Sequence, residues 1–290
     1  ILSFFPLKKL IMNEKPDFLI VQLITSLPMI LLLLFKFKTK FILRISGLPK
    51  LNIFRKTLWK ITLKKFHLIT CPTESTYEYI KSLNIVEAEK IKILYDPVIE
   101  VIEIKKKINE KSDLEFKNYF LAAGRLTKQK NFIFLCRAFH EVLDKYPDYK
   151  LLIAGEGEDK KKIKEFIIKN NLEKNIFLID YVKNIFPLIK NAESFILSSL
   201  WEDPGFVIIE SAFCRKTVFS SNCLTGPREI IKDNYNGFLF ESNNIKSFLE
   251  NFDKLIKKKK DKKILLNNLR YIKRFTLFNH YKALKMLLSF

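Results

Sequence analysis

Four residues carry the chemistry that this sequence offers most clearly: Glu202 and Glu210, eight positions apart, and the cations Arg125 and Lys130. An ionised carboxylate only accepts hydrogen bonds, so it suits hydroxyl groups and repels phosphate. A guanidinium can clamp phosphate oxygens bidentately, and a lysine adds a point charge. Together they describe a ligand that has both phosphate and hydroxyls. The alternative is four surface charges in a lysine-rich chain. It fits Lys130 taken alone but fits Arg125 poorly, because arginine is scarce here and Gly124-Arg125 directly follows an apolar run.

The elements around these residues must be strands handing over to helices. Ser194-Phe195-Ile196-Leu197 reads as a buried strand that stops at Ser198-Ser199, and a helical pattern starts at Phe206 after Pro204-Gly205. Thr217 to Ser221 is a further strand, followed by Thr225-Gly226-Pro227-Arg228 and a short helix from Glu229. Tyr119 to Ala123 is the strand before Gly124, and a helix runs from Asn131 to Lys145. Loops at such handovers are where open α/β sheets bind ligands, and free N–H groups at the helix starts favour anions.

Glu202-x7-Glu210 with Gly205-Phe206 between resembles the E-x7-E motif of the family 4 (group 1) retaining glycosyltransferases. Gly124-Arg125-Leu126-x3-Lys130 resembles that family's G-R-L-x-x-x-K motif. The resemblance implies a GT-B fold: α/β, with two Rossmann-like parallel-sheet domains. It implies a nucleoside-diphosphate sugar as donor, with Arg125 and Lys130 on the diphosphate and Glu202 orienting the sugar. Glu210 would hold the ribose hydroxyls, the amides of Gly205 and Phe206 would bind donor oxygens, and Gly124, Thr225 and Gly226 would assist. Tyr181-Val182-Lys183 would border the base. No cofactor and no metal are expected.

Along the chain, Phe18 to Val21, Lys40 to Ile45, His67 to Cys71 and Lys90 to Leu94 read as strands of a first domain. Tyr149 to Ala154, Asn175 to Asp180 and Gly237 to Phe240 complete the second. Gly155-Glu156-Gly157 reads equally well as a phosphate loop or a tight turn. The Lys/Glu-rich run 103–117 reads as a linker, 257–263 as a solvated basic face, and 275–290 as a closing helix crossing back to the first domain. The expected domains are therefore 1–103, 104–274 and that closing helix. The first is read as truncated, because the family's opening strand and glycine-rich loop are not seen. On this acceptor side Gln22 stands where many relatives carry a histidine and cannot act as a base, and Ser46 and Gly47 read equally as cleft lining or as a plain strand-end turn.

The net charge is +21 and the pI about 9.7, with 48% hydrophobic residues, which describes a globular, basic protein. The excess of Lys, Ile, Phe and Asn fits an AT-rich coding bias in part. What remains points to an anionic membrane surface rather than nucleic acid, for which no motif is present. Leu19 to Phe35 is near the short limit for spanning a bilayer and is broken by Gln22, Thr25, Ser26 and Pro28, so it reads better as strand, turn and helix. Cys71, Cys136, Cys214 and Cys223 lack metal or redox spacing and read as reduced core thiols of a cytoplasmic protein. His67, His140 and His280 are too dispersed for a metal site.

Three functions follow in order. The first is a retaining glycosyltransferase acting on a glycan or lipid-linked acceptor in cell-envelope polysaccharide synthesis, peripheral on the inner face of the cytoplasmic membrane. The second is a GT-B nucleotide-sugar 2-epimerase, and the third a non-catalytic donor-binding or scaffold protein.

Overall fold

The computed structural model describes residues 3–23, 25–49, 52–111 and 116–288. The chain divides into two compact units, Ile1–Tyr95 and Asp96–Phe290, so the division falls ahead of the 103/104 boundary expected from the sequence.

The first unit is a four-stranded parallel sheet: β1 (Phe18–Val21), β2 (Lys40–Arg44), β3 (Leu68–Cys71) and β4 (Ile91–Ile93), paired in chain order. Strands that read as continuous apolar runs are those covered on both faces, and β3 is buried along its whole length. Helices α1 (Phe4–Glu14), α2 (Ser26–Leu34), α3 (Ile53–Thr62) and α4 (Glu74–Ser82) cover it. Thr73 caps α4 as its position predicts, its hydroxyl accepting from the Thr76 amide at 3.1 Å.

In the second unit α5 (Val101–Ile108) precedes β5 (Tyr119–Ala123). A regular alternation follows: α6 (Phe132–Lys145), β6 (Lys150–Ala154), α7 (Lys160–Lys169), β7 (Ile176–Ile179), α8 (Phe186–Asn191), β8 (Ser194–Leu197), α9 (Phe206–Phe213) and β9 (Val218–Ser221). The chain then runs through α10 (Pro227–Ile230), β10 (Phe238–Phe240), α11 (Ile245–Lys258), α12 (Lys262–Ile272) and α13 (Leu277–Leu288). The run 103–117, read as a linker, begins inside helix α5, because Val101, Ile104 and Ile108 recur at helical spacing and Ile104 is buried. The basic run 257–263 spans a helix end and the start of α12, which Asp261 caps.

All six strands are parallel, in the order β10-β9-β8-β5-β6-β7. The chain winds outward from β5 in one direction, then returns to β8 and winds outward in the other. The switch point therefore lies between β5 and β8, where the diverging connections leave a crevice at the carboxyl ends of the strands. One face of the sheet is packed by phenylalanines: Phe120, Phe139, Phe219, Phe248 and Phe252 are buried in one core, and the Phe219 and Phe248 rings lie 5.0 Å apart. All four cysteines are free, and burial pushes the Cys136 thiol up to about 12, as expected of inert core thiols.

Candidate functional site

The site is built by the two connections that leave the switch point. After β5 the chain turns at Gly124, and the exposed Arg125 is followed by Leu126, which is fully buried and anchors the turn in the core. The Leu126 amide donates to Glu156 O at 2.8 Å, and its carbonyl accepts from Asp159 N at 2.9 Å. A Cβ on Gly155 would fall 2.0 Å from Gly124 O, and one on Gly157 2.4 Å from Leu126 O. Of the two readings of Gly155-Glu156-Gly157, these contacts support close backbone packing that props the Arg125 turn.

The connection after β8 is fastened to that turn. Ser198 Oγ donates to Lys130 O at 2.8 Å, Leu200 N to Gln129 O at 2.8 Å, and Gln129 Nε2 to Trp201 O at 2.9 Å. These bonds bring Lys130 and Glu202, far apart in sequence, into a direct ion pair between Lys130 Nζ and Glu202 Oε1. The same oxygen accepts from Ser199 Oγ at 2.5 Å. The two side chains are only 14% and 6% exposed, so each charge depends on the other for the solvation that water no longer supplies.

Thr225 and Gly226 hold this connection from below. Thr225 Oγ1 donates to Glu202 O, and a Cβ on Gly226 would lie 1.8 Å from Pro204 O. Both residues are buried and neither lines the cavity, so the structure gives them a supporting position rather than a place on its wall.

Gly205, at φ +93°, opens α9 and sets Phe206 and Glu210 facing the crevice. The result is a cavity of about 800 Å³ whose wall includes Arg125, Lys130, Glu202, Gly205, Phe206 and Glu210, with Gly124 at its base. Tyr181, Val182 and Lys183 also border it. Lys107 of α5 also lines it, a residue hidden from sequence reading by the linker assignment. Burial pushes the Glu210 carboxyl above its usual range, and the Lys107 charge partly opposes that rise. Asn184 fixes α5 beside α8: its amide donates to Lys107 O at 2.9 Å and Glu110 Oε2 at 2.6 Å, while its carbonyl accepts from Phe186 N at 3.1 Å. Among the described residues, no group of three or more His, Cys, Asp or Glu is placed to hold a metal.

Gln22, Ser46 and Gly47 lie in the first unit, at the carboxyl ends of β1 and β2. Arg44 Nη1 lies 3.4 Å from both Gln22 Oε1 and Ser46 Oγ, so an arginine unremarked in the sequence draws the two together.

Two parallel α/β sheets, with a cavity of cations and carboxylates at the switch point of the second, define a GT-B architecture. The solved structures agree on the fold. A Rickettsia africae glycosyltransferase superposes with TM-score 0.81 at 18% identity, covering 98% of this chain and 79% of its own. Anabaena HepE in complex with UDP gives 0.80 at 15%, covering 98% and 81%. Residues 102–271 match the glycosyl transferases group 1 family, and the chain belongs to it. An uncharacterized glycosyltransferase of Methanocaldococcus jannaschii is 34% identical over 78% of this chain and 61% of its own length. A Campylobacter jejuni 4-alpha-N-acetylgalactosaminyltransferase, named for a diphospho-undecaprenol acceptor, is 29% identical over 74% and 58%. The chain thus spans about three fifths of the length of these relatives. All are named as transferases, which does not favour the epimerase alternative.

Proposed function

We propose that the protein is a retaining glycosyltransferase of the family 4 type. It moves a sugar from a nucleoside-diphosphate sugar to a hydroxyl of a glycan or lipid-linked acceptor in cell-envelope polysaccharide synthesis. The observation that carries this reading is one cavity, at the switch point of a doubly wound sheet, that unites Arg125, Lys130, Glu202 and Glu210. Family membership, relatives named for diphospho-undecaprenol acceptors and solved neighbours holding UDP or UDP-glucose support it.

In the proposed reaction the glycosidic bond to the diphosphate breaks with an oxocarbenium-like anomeric carbon as negative charge develops on the departing phosphate, the acceptor hydroxyl oxygen bonds that carbon, and its proton passes to the departing phosphate oxygen. Arg125 and Lys130 stabilise that charge, each such hydrogen bond contributing roughly 1.5–3 kcal/mol. The ion pair gives this step a defined exchange: when phosphate takes Lys130, Glu202 is released to accept hydrogen bonds from the sugar hydroxyls. Amides of Gly205 and Phe206 at the start of α9 bind donor oxygens, and Glu210 takes the ribose hydroxyls. Thr225 and Gly226 act by holding the Glu202 loop. No metal enters this scheme, since two cations and a helix terminus face the phosphates. The acceptor side takes in Gln22 and Ser46, held by Arg44, and Gly47. The proposed location is the cytoplasmic face of the membrane; no helix among the described residues is long and apolar enough to cross one.

The test is a thermal-shift panel of UDP, GDP, ADP and their sugars against the chain, Arg125→Ala and Glu210→Ala. One nucleotide family should stabilise the wild type and lose most of that effect in both variants. No stabilisation by any nucleotide, or full retention in Glu210→Ala, refutes the site.

A further inference from the structure

Helix α3 is apolar on two sides. Leu58 and Trp59 turn inward, and Trp59 and Leu63, the residue that follows the helix, are buried in the core of the first unit. The opposite side carries Ile53, Phe54 and Ile61, which are 88%, 76% and 54% exposed. At 100° per residue, Ile53, Thr57 and Ile61 form one outward stripe with Phe54 at its edge and Lys56 and Lys60 along its other flank, while Lys64 lies in the turn Leu63–Lys65 that follows the helix. Leu48, in the loop leading to the helix, is exposed as well. A surface helix normally turns polar groups to water, so an outward Ile-Phe-Ile stripe marks a surface that something covers.

The charge around the stripe identifies the cover. From Phe18 to Thr73 the sequence contains ten Lys or Arg and not one Asp or Glu. Lys56, Lys60 and Lys64 are exposed. A protein partner with an acidic groove would meet the same cations, but it would also need shaped, hydrogen-bonded contacts to the helix. A fluid anionic surface needs only apolar side chains to bury and cations alongside them.

We propose that the outer face of α3 docks the protein on an anionic lipid bilayer, with Ile53, Phe54 and Ile61 entering the headgroup boundary and Lys56, Lys60 and Lys64 lying against the lipid phosphates. The inference deepens the membrane location given above and names its surface. It does not depend on donor binding, which is measured separately.

The experiment is co-sedimentation of the full chain with phosphatidylcholine vesicles and with vesicles that also contain phosphatidylglycerol. The wild type should pellet with the anionic vesicles only. Ile53→Ser/Phe54→Ser should lower that binding about tenfold or more. Lys56→Gln, Lys60→Gln and Lys64→Gln should each lower it roughly fivefold and weaken its salt dependence. These positions are exposed, so all variants should melt like the wild type and be stabilised equally by whichever nucleotide stabilises the wild type. Vesicle binding unchanged in Ile53→Ser/Phe54→Ser overturns the proposal. So does binding indifferent to lipid charge, or a wild-type dimer on size-exclusion chromatography that the double variant makes monomeric. A wild type that no nucleotide stabilises but that still binds anionic vesicles would count against the donor site and leave this surface standing.

Discussion

Removing Lys130 should damage the fold before any substrate is considered. Lys130→Met strips the partner from a carboxylate that is 6% exposed and retains only the Ser199 hydroxyl. Breaking a buried pair by deleting one partner costs about 3–5 kcal/mol. The Ser199 bond places this case at the lower end, near 3 kcal/mol. For a unit of this size each kcal/mol lowers Tm by about 2–4 °C, so the loss should be roughly 6–12 °C. Glu202→Gln leaves the ammonium buried beside an amide oxygen and should cost about 2 kcal/mol. The double variant Lys130→Met/Glu202→Gln has no orphaned charge and should return to within about 1 kcal/mol of the wild type. The assay is urea unfolding of all four proteins without nucleotide, with Arg125→Ala as a control. Arg125 is exposed and should stay within about 0.5 kcal/mol. Additive losses, or single losses below about 1 kcal/mol, refute the mutual dependence of Lys130 and Glu202.

Other perturbations test the rest of the site. If the Glu210 carboxylate accepts ribose hydroxyls, nucleotide affinity should rise with pH through its burial-raised pKa. Glu210→Gln should flatten that limb, and Lys107→Met should move it to higher pH because an opposing positive charge is lost. Titrations of nucleotide binding against pH decide this, and an unmoved limb in Lys107→Met counts against the pairing. The same raised pKa makes protonated Glu210 the form the fold prefers. Its contribution to stability should therefore fall as pH rises from the ordinary carboxylate value through the raised one, a slope absent in Glu210→Gln. Gly226→Ala should cost about 2–4 kcal/mol in chemical unfolding, because a methyl group would meet Pro204 O at φ +68°; a loss below 1 kcal/mol would show that the loop can yield. Thr225→Val should cost about 1 kcal/mol and weaken donor binding by loosening Glu202, whereas wild-type affinity would mean the loop holds without it.

Much of this protein was legible in its sequence because the information was local. Apolar runs marked the ten strands of the two sheets, most clearly those buried along their whole length, such as β3, β5 and β8, since a strand covered on both faces is apolar along most of its length. The strand-loop-helix pattern placed Gly124-Arg125 and Glu202 to Glu210 at carboxyl ends of strands, and capping residues such as Thr73 fixed helix starts. Tertiary structure decided what depends on residues distant in the chain. Only the return from β7 to β8 sets the two motif loops side by side and joins Lys130 to Glu202. Helix α5 and its Lys107 lay within a stretch whose charge density suggested a linker, and packing against α8 settled its place. Thr225 and Gly226 share a loop type with the cavity residues, yet backbone contacts put them beneath the wall. The basic, amphipathic character of α3 was visible in its residue types. Which of its two apolar sides turned inward depended on where the sheet and α2 lay, because helical periodicity is blind to direction until something packs against it.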